Sequence, residues 1–468
     1  MKRKQKQRVL QNILVEDYAA EGKSLARVEG KVIFIENAVP GDIVDIRLSK
    51  SKKDWAEGKA VFFHQYSPQR VTPFCEHFGI CGGCQWQMLP YADQLSFKQK
   101  QVSDNLQRIG KVPMPEFEPI MGAAETRYYR NKIEYTFGNK RYLLPEEVAD
   151  ANRSSLEDVA GYHVKGLFDK IVDIRKCHLQ AEPTNEIRLA VKHYAITNGL
   201  SFYDIRNHNG FLRNMQIRLC RSGELMVNLI FGYEDADQRT RLLDHLLQLF
   251  PGITTLLFTI NSKMNDSLYD LSPQPYFGKG YVIETLEDFK FKIGPKSFFQ
   301  TNTGQGERLY QVTRDYAELT GNETVYDLYC GTGSIGLFVS KHAKKIIGVE
   351  LVDEAIDDAR ENALLNGIAH AEFFAGDVIK ICDDAFFARH GRPDVIITDP
   401  PRAGMHEKLV EKILDIAAPL VVYVSCNPAT QARDLSLLAA KYDVTRIRPV
   451  DMFPHTHHIE NVVQLKLR

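Results

Sequence analysis

A chain of 468 residues is long enough for two to four domains, each with its own core. Hydrophobic residues at 44% and charged residues at 25% exclude a disordered or fibrous chain, and no apolar run approaches the roughly 20 residues that cross a bilayer. The formal net charge of −1 hides an uneven distribution: residues 1–70 hold 14 Lys and Arg against 9 Asp and Glu, a surplus that suits a module facing a polyanion.

The start, MKRKQKQRVLQN, has basic residues with no apolar core behind them, so it reads as a solvated tail rather than a secretory signal, and a cytoplasmic location is expected. Residues 8–65 then read as short strands in RVLQNILVEDYA, ARVEGKVIFIENAV, GDIVDIRLS and WAEGKAVFFHQ, separated by Gly, Pro and Asp turn signals. Several short strands in so little chain suggest a small OB-like β-barrel of the kind that binds oligonucleotides. The cysteine-rich stretch CEHFGICGGCQWQ follows. Behind it a helix is predicted over 91–109, with Leu95, Val102, Leu106 and Ile109 as its apolar stripe.

Residues 127–289 read as mainly β, with IEYTFG, MQIRLC, ELMVNLIFG and TLLFTINS as strands and one amphipathic helix over 183–197. RYYRNKIEYTFG interleaves cations with tyrosines, a pattern that suits phosphate contact and base stacking in unpaired RNA and equally fits an amphipathic strand with snorkelling side chains. After Phe291 strands alternate with helical patterns: TVYDLY, KKIIGVE, AEFFAGD, DVIITDP, LVVYVSC, VTRIRPV and NVVQLKL are the strands of a doubly wound, Rossmann-like parallel sheet. The expected division is 1–68, 69–290 and 291–468.

The eight cysteines are unevenly scattered, which argues for metal binding or catalysis rather than a disulfide framework. Cys75, Cys81 and Cys84 share one glycine-containing loop and RKCHL supplies Cys177. Four thiolates ligate zinc or an iron–sulfur cluster, and three close cysteines with one remote is a common cluster spacing; zinc stays open on spacing alone. Cys220, Cys330 and Cys382 read as ordinary buried thiols.

YDLYCGTGSIG sets Gly331, Gly333 and Gly336 between a strand and a helix, where glycines let the backbone turn and approach a ligand, and Glu350 ends the next strand where a ribose hydroxyl would be gripped. Asp327 precedes the glycines, where a carboxylate would repel a pyrophosphate but hold the amine of S-adenosylmethionine. With Asp399-Pro400-Pro401 ending the fourth strand, methyl transfer becomes the leading reaction. LVVYVSCNPATQARDL poses a further question, because its cysteine, Cys426, sits where the strand turns into a helix rather than inside the apolar run.

FFQTN at 298–302, DLYCGTGSIG, GVE ending at Glu350, DPPR at 399–402, SCNP at 425–428 and DMFPHTHHIE at 451–460 together resemble the RNA 5-methyluridine methyltransferase family, and the resemblance spans nearly the whole chain. It implies an N-terminal TRAM domain, a class I methyltransferase domain, S-adenosylmethionine as cofactor and RNA as substrate. Methylation of uracil C5 needs a thiolate added at C6, so Cys426 would be the nucleophile, its thiol pKa lowered by the positive end of the following helix. The resemblance assigns the base that removes the C5 proton to Glu460. Asp399 would accept a hydrogen bond from uracil N3, which cytosine cannot offer.

Cofactor contacts are implied for Gln300, Tyr329, Glu350, Asp377 and Asp399, together with the Gly331 and Gly333 loop, while Phe298 would stack near the base. Ser334 stands where the family has Asn, which removes that side-chain contact. His455, His457 and His458 lack the spacing of a helical metal site and read as a solvated turn, with a supporting role open to His458 alone. The resemblance implies a four-iron four-sulfur cluster on the four cysteines, and the barrel with that cluster is closer to members acting on 23S rRNA than on transfer RNA. A monomer is expected. The alternatives are a transfer-RNA uracil-C5 methyltransferase, an exocyclic-amine methyltransferase of nucleic acid, which needs no thiol, and a non-catalytic RNA-binding protein with a vestigial cofactor fold.

Overall fold

The computed structural model describes residues 8–148 and 154–468; the basic start at residues 1–7, expected as a solvated tail, lies outside the described residues. The first sheet has six strands, β1 (Val9–Leu14), β2 (Asp17–Tyr18), β3 (Ser24–Val28), β4 (Lys31–Glu36), β5 (Ile43–Ser51) and β6 (Trp55–Gln65), in the order β1-β5-β6-β4-β3-β2. Alternation along the strands turns Ala26, Ile33, Ile35, Val44, Ile46 and Ala56 inward as a separate small core.

The cysteine loop leads into the Tyr91–Asn105 helix, which widens into a π turn at Leu106–Gly110. Its buried face is unexpected. Val102 and Leu106 are buried as the apolar stripe requires, but Ile109 is exposed, and Gln94 and Lys98 are wholly buried instead.

The second sheet comprises β7 (Lys132–Lys140), β8 (Leu156–Val164), β9 (Leu167–Asp173), β10 (Leu212–Leu219), β11 (Leu225–Phe231), β12 (Thr255–Ile260) and β13 (Gln274–Phe277), ordered β13-β12-β11-β10-β7-β8-β9. The expected amphipathic helix is present as Thr184–Thr197. A second one, Ala236–Leu249, corrects the reading of a single helix here: Asp235 caps it by accepting from Gln238 N–H at 3.0 Å, and Leu242, Leu243 and Leu246 are buried. A hairpin, β14 (Val282–Leu286) and β15 (Phe289–Ile293), buries Val282, Leu286, Phe289 and Phe291 in the same core as Leu309 and Tyr316 of the Thr303–Ala317 helix.

The third sheet carries the strands expected after residue 291: β16 (Thr324–Leu328), β17 (Lys345–Glu350), β18 (Ala371–Ala375), β19 (Val395–Thr398), β20 (Leu420–Ser425), β21 (Tyr442–Val450) and β22 (Glu460–Leu467), in the order β18-β17-β16-β19-β20-β22-β21. It is not parallel throughout. β22 runs antiparallel to both β20 and β21, inserted between them. Chain direction reverses its course at the β16/β19 junction, the switch point beside which ligands bind in open α/β sheets. Among the described residues no helix is long and apolar enough to cross a membrane.

Candidate active site

One edge of the third sheet gathers most of the residues singled out from the sequence. β16, β17, β18, β19 and β20 all end there, and β22, being antiparallel, begins there with Glu460. In sheet order, Asp377, Glu350 and Tyr329 follow or end β18, β17 and β16, whereas Asp399 and Cys426 follow β19 and β20 and Glu460 opens β22. The edge therefore has a half suited to a cofactor and a half suited to covalent chemistry, meeting at the switch point.

On the first half the backbone makes room. Gly331 has φ +53°, and a Cβ built there would meet no heavy atom within 4 Å, so the turn faces open space into which a ligand fits. Gly331 N–H donates to Glu350 Oε2 at 3.2 Å, while Leu351 and Val352 N–H groups donate to Oε1 at 2.8 and 3.1 Å, which fixes that carboxylate at the strand end. Tyr329 adopts φ +62° and is half-buried beside it. Asp377 caps the short Val378–Ile381 helix by accepting from Ile379 N–H at 3.0 Å. Gln300 is nearly buried, and Ser334 Oγ lies 2.9 Å from Tyr310 Oη.

Asp327 is the penultimate residue of β16. It is wholly buried beneath the loop, where Oδ2 accepts from Gly336 N–H at 2.8 Å and burial pushes its pKa up to about 7. Its Oδ1 has no hydrogen-bond partner and no exposed surface.

On the second half, the β20/β22 register pairs Ser425 with Asn461. One step further brings Cys426 opposite Glu460. Asn427 caps the Pro428–Leu438 helix, accepting from Ala429 N–H at 3.1 Å with Pro428 in the first turn, which is why the apolar strand stops on the cysteine. The cap also donates from Nδ2 to Arg402 O at 3.0 Å, and buried Asp434 accepts from Tyr423 Oη and Met405 N–H at 2.7 and 2.8 Å. The DPPR loop and the Cys426 turn are thus one bonded unit.

The electrostatics overturn one expectation. The helix end does not produce a low thiol pKa: burial first, then the carboxylates of Glu460 and Asp399, push the Cys426 thiol up to about 11, against an opposing pull from Arg402. Burial also raises Asp399 to about 7 and, with the Asp399 charge, lifts Glu460 well above the usual carboxylate range; Arg402 again opposes. Arg402 was quoted in a motif yet assigned no part by sequence reasoning. It is the cation that acts on both Cys426 and Glu460, and its Nη2 also lies 3.5 Å from His458 Nδ1.

The histidine turn ahead of Glu460 is not solvated. His455 is 7% exposed, His457 and His458 are half-buried, and burial lowers all three to about 4. Lys98 and Asp451, both wholly buried, form an ion pair at 2.6 Å, and Tyr91 Oη donates to the other Asp451 oxygen at 2.7 Å. Tyr91, Gln94 and Lys98 share one helix face that helical spacing alone would read as a wet stripe.

Elsewhere, Cys75, Cys81, Cys84 and Cys177 line one cavity of about 350 Å³. Burial raises the thiols of Cys81 and Cys84 to about 12 and about 11, and each is raised further by the charges of the others. Among the described residues no group of three or more His, Cys, Asp or Glu is arranged to hold a metal ion. Cys220, Cys330 and Cys382 are buried, as expected.

The tyrosine–arginine stretch divides. Tyr129 is buried and donates to Pro454 O at 3.1 Å, whereas Tyr128 is exposed, and with Arg130, Arg221 and Arg308 it lines an open cleft of about 620 Å³. Phe298 projects into solvent at 71% exposure, two residues from Gln300.

Known proteins resemble this chain over nearly its whole length. A family model described as tRNA (Uracil-5-)-methyltransferase matches residues 274–468, and a TRAM domain model matches residues 4–61. A Bacteroides thetaiotaomicron protein named as an RNA methyltransferase is 52% identical over 454 residues, covering 96% of this chain and 100% of its own. A Porphyromonas gingivalis protein of the same name is 50% identical over 458 residues, 96% of this chain and 98% of its own. The solved structure of the Pyrococcus abyssi tRNA (uracil-54, C5)-methyltransferase in complex with S-adenosyl-L-homocysteine is 27% identical with a TM-score of 0.73, over 97% of this chain and 100% of that one.

Proposed function

Because this chain belongs to the RNA 5-methyluridine methyltransferase family, we propose that it methylates C5 of a uridine in RNA, with 23S rRNA as the substrate. The observation that carries the reading is the meeting of Cys426, Asp399 and Glu460 on three neighbouring strands, next to a glycine loop that opens onto free space.

Asp399 accepts from uracil N3–H and so orients the ring and rejects cytosine. Cys426, as thiolate, adds to C6 and leaves C5 an enolate carbon. When bound, S-adenosylmethionine supplies an electrophilic methyl group, held by Gln300, Tyr329, Glu350 and Asp377 around the Gly331–Gly333 turn. Glu460 then takes the C5 proton, the C5–C6 double bond re-forms and the Cys426 thiolate leaves. Arg402 favours the two anionic states this cycle needs, thiolate and carboxylate, in a site where burial opposes both.

The experiment is mass-spectrometric mapping of 5-methyluridine in RNA from cells with and without the gene. Loss of the modification from 23S rRNA is expected. A second reading, transfer RNA, is favoured by the descriptions of the matched family model and solved structure, and loss from that fraction alone would establish it instead. We further propose that the protein acts in the cytoplasm as a monomer.

We propose that Cys75, Cys81, Cys84 and Cys177, which line one cavity and supply four thiol donors, would hold a four-iron four-sulfur cluster that braces the segment facing RNA. Anaerobic purification should yield a brown protein with broad visible absorbance; a colourless protein with stoichiometric zinc would overturn this.

A further inference from the structure

We propose that Gln85 and Gln94 are positioning residues for Glu460, so that the cysteine-bearing loop governs proton removal and product release. The inference rests on the reading of Glu460 as the base.

Glu460 opens β22 directly behind the turn at residues 451–459, and that turn is gripped from outside the catalytic sheet. His455 stands at φ +65°, a conformation uncommon outside glycine, and both its backbone polar groups are held. Its carbonyl accepts from Gln85 N–H at 2.8 Å and Trp86 N–H at 3.0 Å. Its own N–H donates to Gln94 Oε1 at 2.8 Å, and Gln94 Nε2 faces His455 Nδ1 at 3.2 Å while also donating to Trp86 O and Leu89 O at 3.0 Å each. Two residues on, Gln85 Oε1 accepts from His457 N–H at 3.3 Å and lies 2.6 Å from His457 Nδ1.

Gln85 is the residue after Cys84. The loop that lines the cysteine cavity therefore continues, without a break, into the clamp on the turn that delivers Glu460. The first sheet closes the third side: Trp86 Nε1 donates to Gly22 O at 3.4 Å, and a Cβ at Gly22 would come within 3.0 Å of the His457 side chain. None of these groups lies on the cofactor half of the edge. Loosening the clamp should leave methyl donor binding and Cys426 addition in place and slow the one step that needs Glu460.

The side chain of Gln85 acts on His457 as an acceptor only, which a carboxylate reproduces and an alkyl group does not. Gln85→Leu, Gln85→Glu and His457→Ala would be assayed as full-length protein on ribosomal RNA from cells lacking the gene, scoring covalent protein–RNA adduct against released product. Gln85→Leu should raise the adduct-to-product ratio by about tenfold, with cofactor affinity within about twofold of the wild type, and Gln85→Glu should restore most of the difference. His457→Ala, which removes the other partner of the same bond, should match Gln85→Leu even where that variant folds poorly.

A wild-type ratio in both Gln85→Leu and His457→Ala overturns the proposal, as does a Gln85→Glu variant no better than Gln85→Leu. Proportionate loss of adduct, product and cofactor affinity would mark a merely structural role and overturn it too. Wild-type protein on RNA carrying 5-fluorouridine is the control: no trapped adduct there would defeat the covalent mechanism itself, independently of the clamp.

Discussion

Cys426→Ala should lose turnover by roughly 10⁴-fold or more, the scale on which removal of a covalent nucleophile acts, while cofactor affinity stays near the wild type. The two effects separate because Cys426 follows β20, whereas Tyr329, Glu350 and Asp377, proposed to hold the cofactor with Gln300, stand at the ends of β16, β17 and β18 across the switch point. The side chain is half-buried and caps nothing; the capping atom belongs to Asn427, so the substitution leaves the local fold intact. Labelled methyl transfer and calorimetric binding of S-adenosylhomocysteine measure the two quantities, and retained methylation would defeat the assignment. The wild-type rate should also climb with pH, since a thiol at about 11 is mostly protonated at neutrality.

Glu460→Gln should stall the reaction one step later, with a loss of about 10²- to 10⁴-fold. Glutamine keeps the shape and loses both the proton acceptor and the charge. Removal of that charge takes away the second cause of the raised Cys426 thiol, so addition to C6 becomes easier just as release becomes slow. Covalent protein–RNA complex should accumulate and survive denaturing electrophoresis. A variant that releases methylated RNA at the wild-type rate would remove Glu460 from the role.

Much of this arrangement is written locally. An apolar run ending on Cys426 before Asn427-Pro428 specifies a strand, a cap and a helix, and the structure has all three. The glycine turn and the carboxylate ending β17 are equally local. What escapes is whatever depends on distant partners. Nothing in NVVQLKL reveals that β22 runs antiparallel between β20 and β21, yet that reversal is what carries Glu460 to the edge where the other strands end.

The thiol shift escapes for the same reason. The helix terminus is visible beside Cys426, whereas the burial and the two carboxylates that raise its thiol come from tertiary packing. Tyr91, Gln94 and Lys98 are polar at helical spacing, a pattern that predicts a wet face. They are buried because Asp451 and His455 arrive from some 350 residues away, as in the Lys98–Asp451 pair at a separation of 353.

That buried ion pair limits how far the protein could be cut down. A fragment keeping only the last third of the chain would retain every strand of the catalytic sheet but strip the Asp451 carboxylate of its Lys98 and Tyr91 partners and uncover the face they bury. The front of the chain is therefore no detachable handle for gripping substrate. Anyone engineering a compact editing enzyme from this scaffold would have to carry the Tyr91–Asn105 helix along, or rebuild its support from scratch.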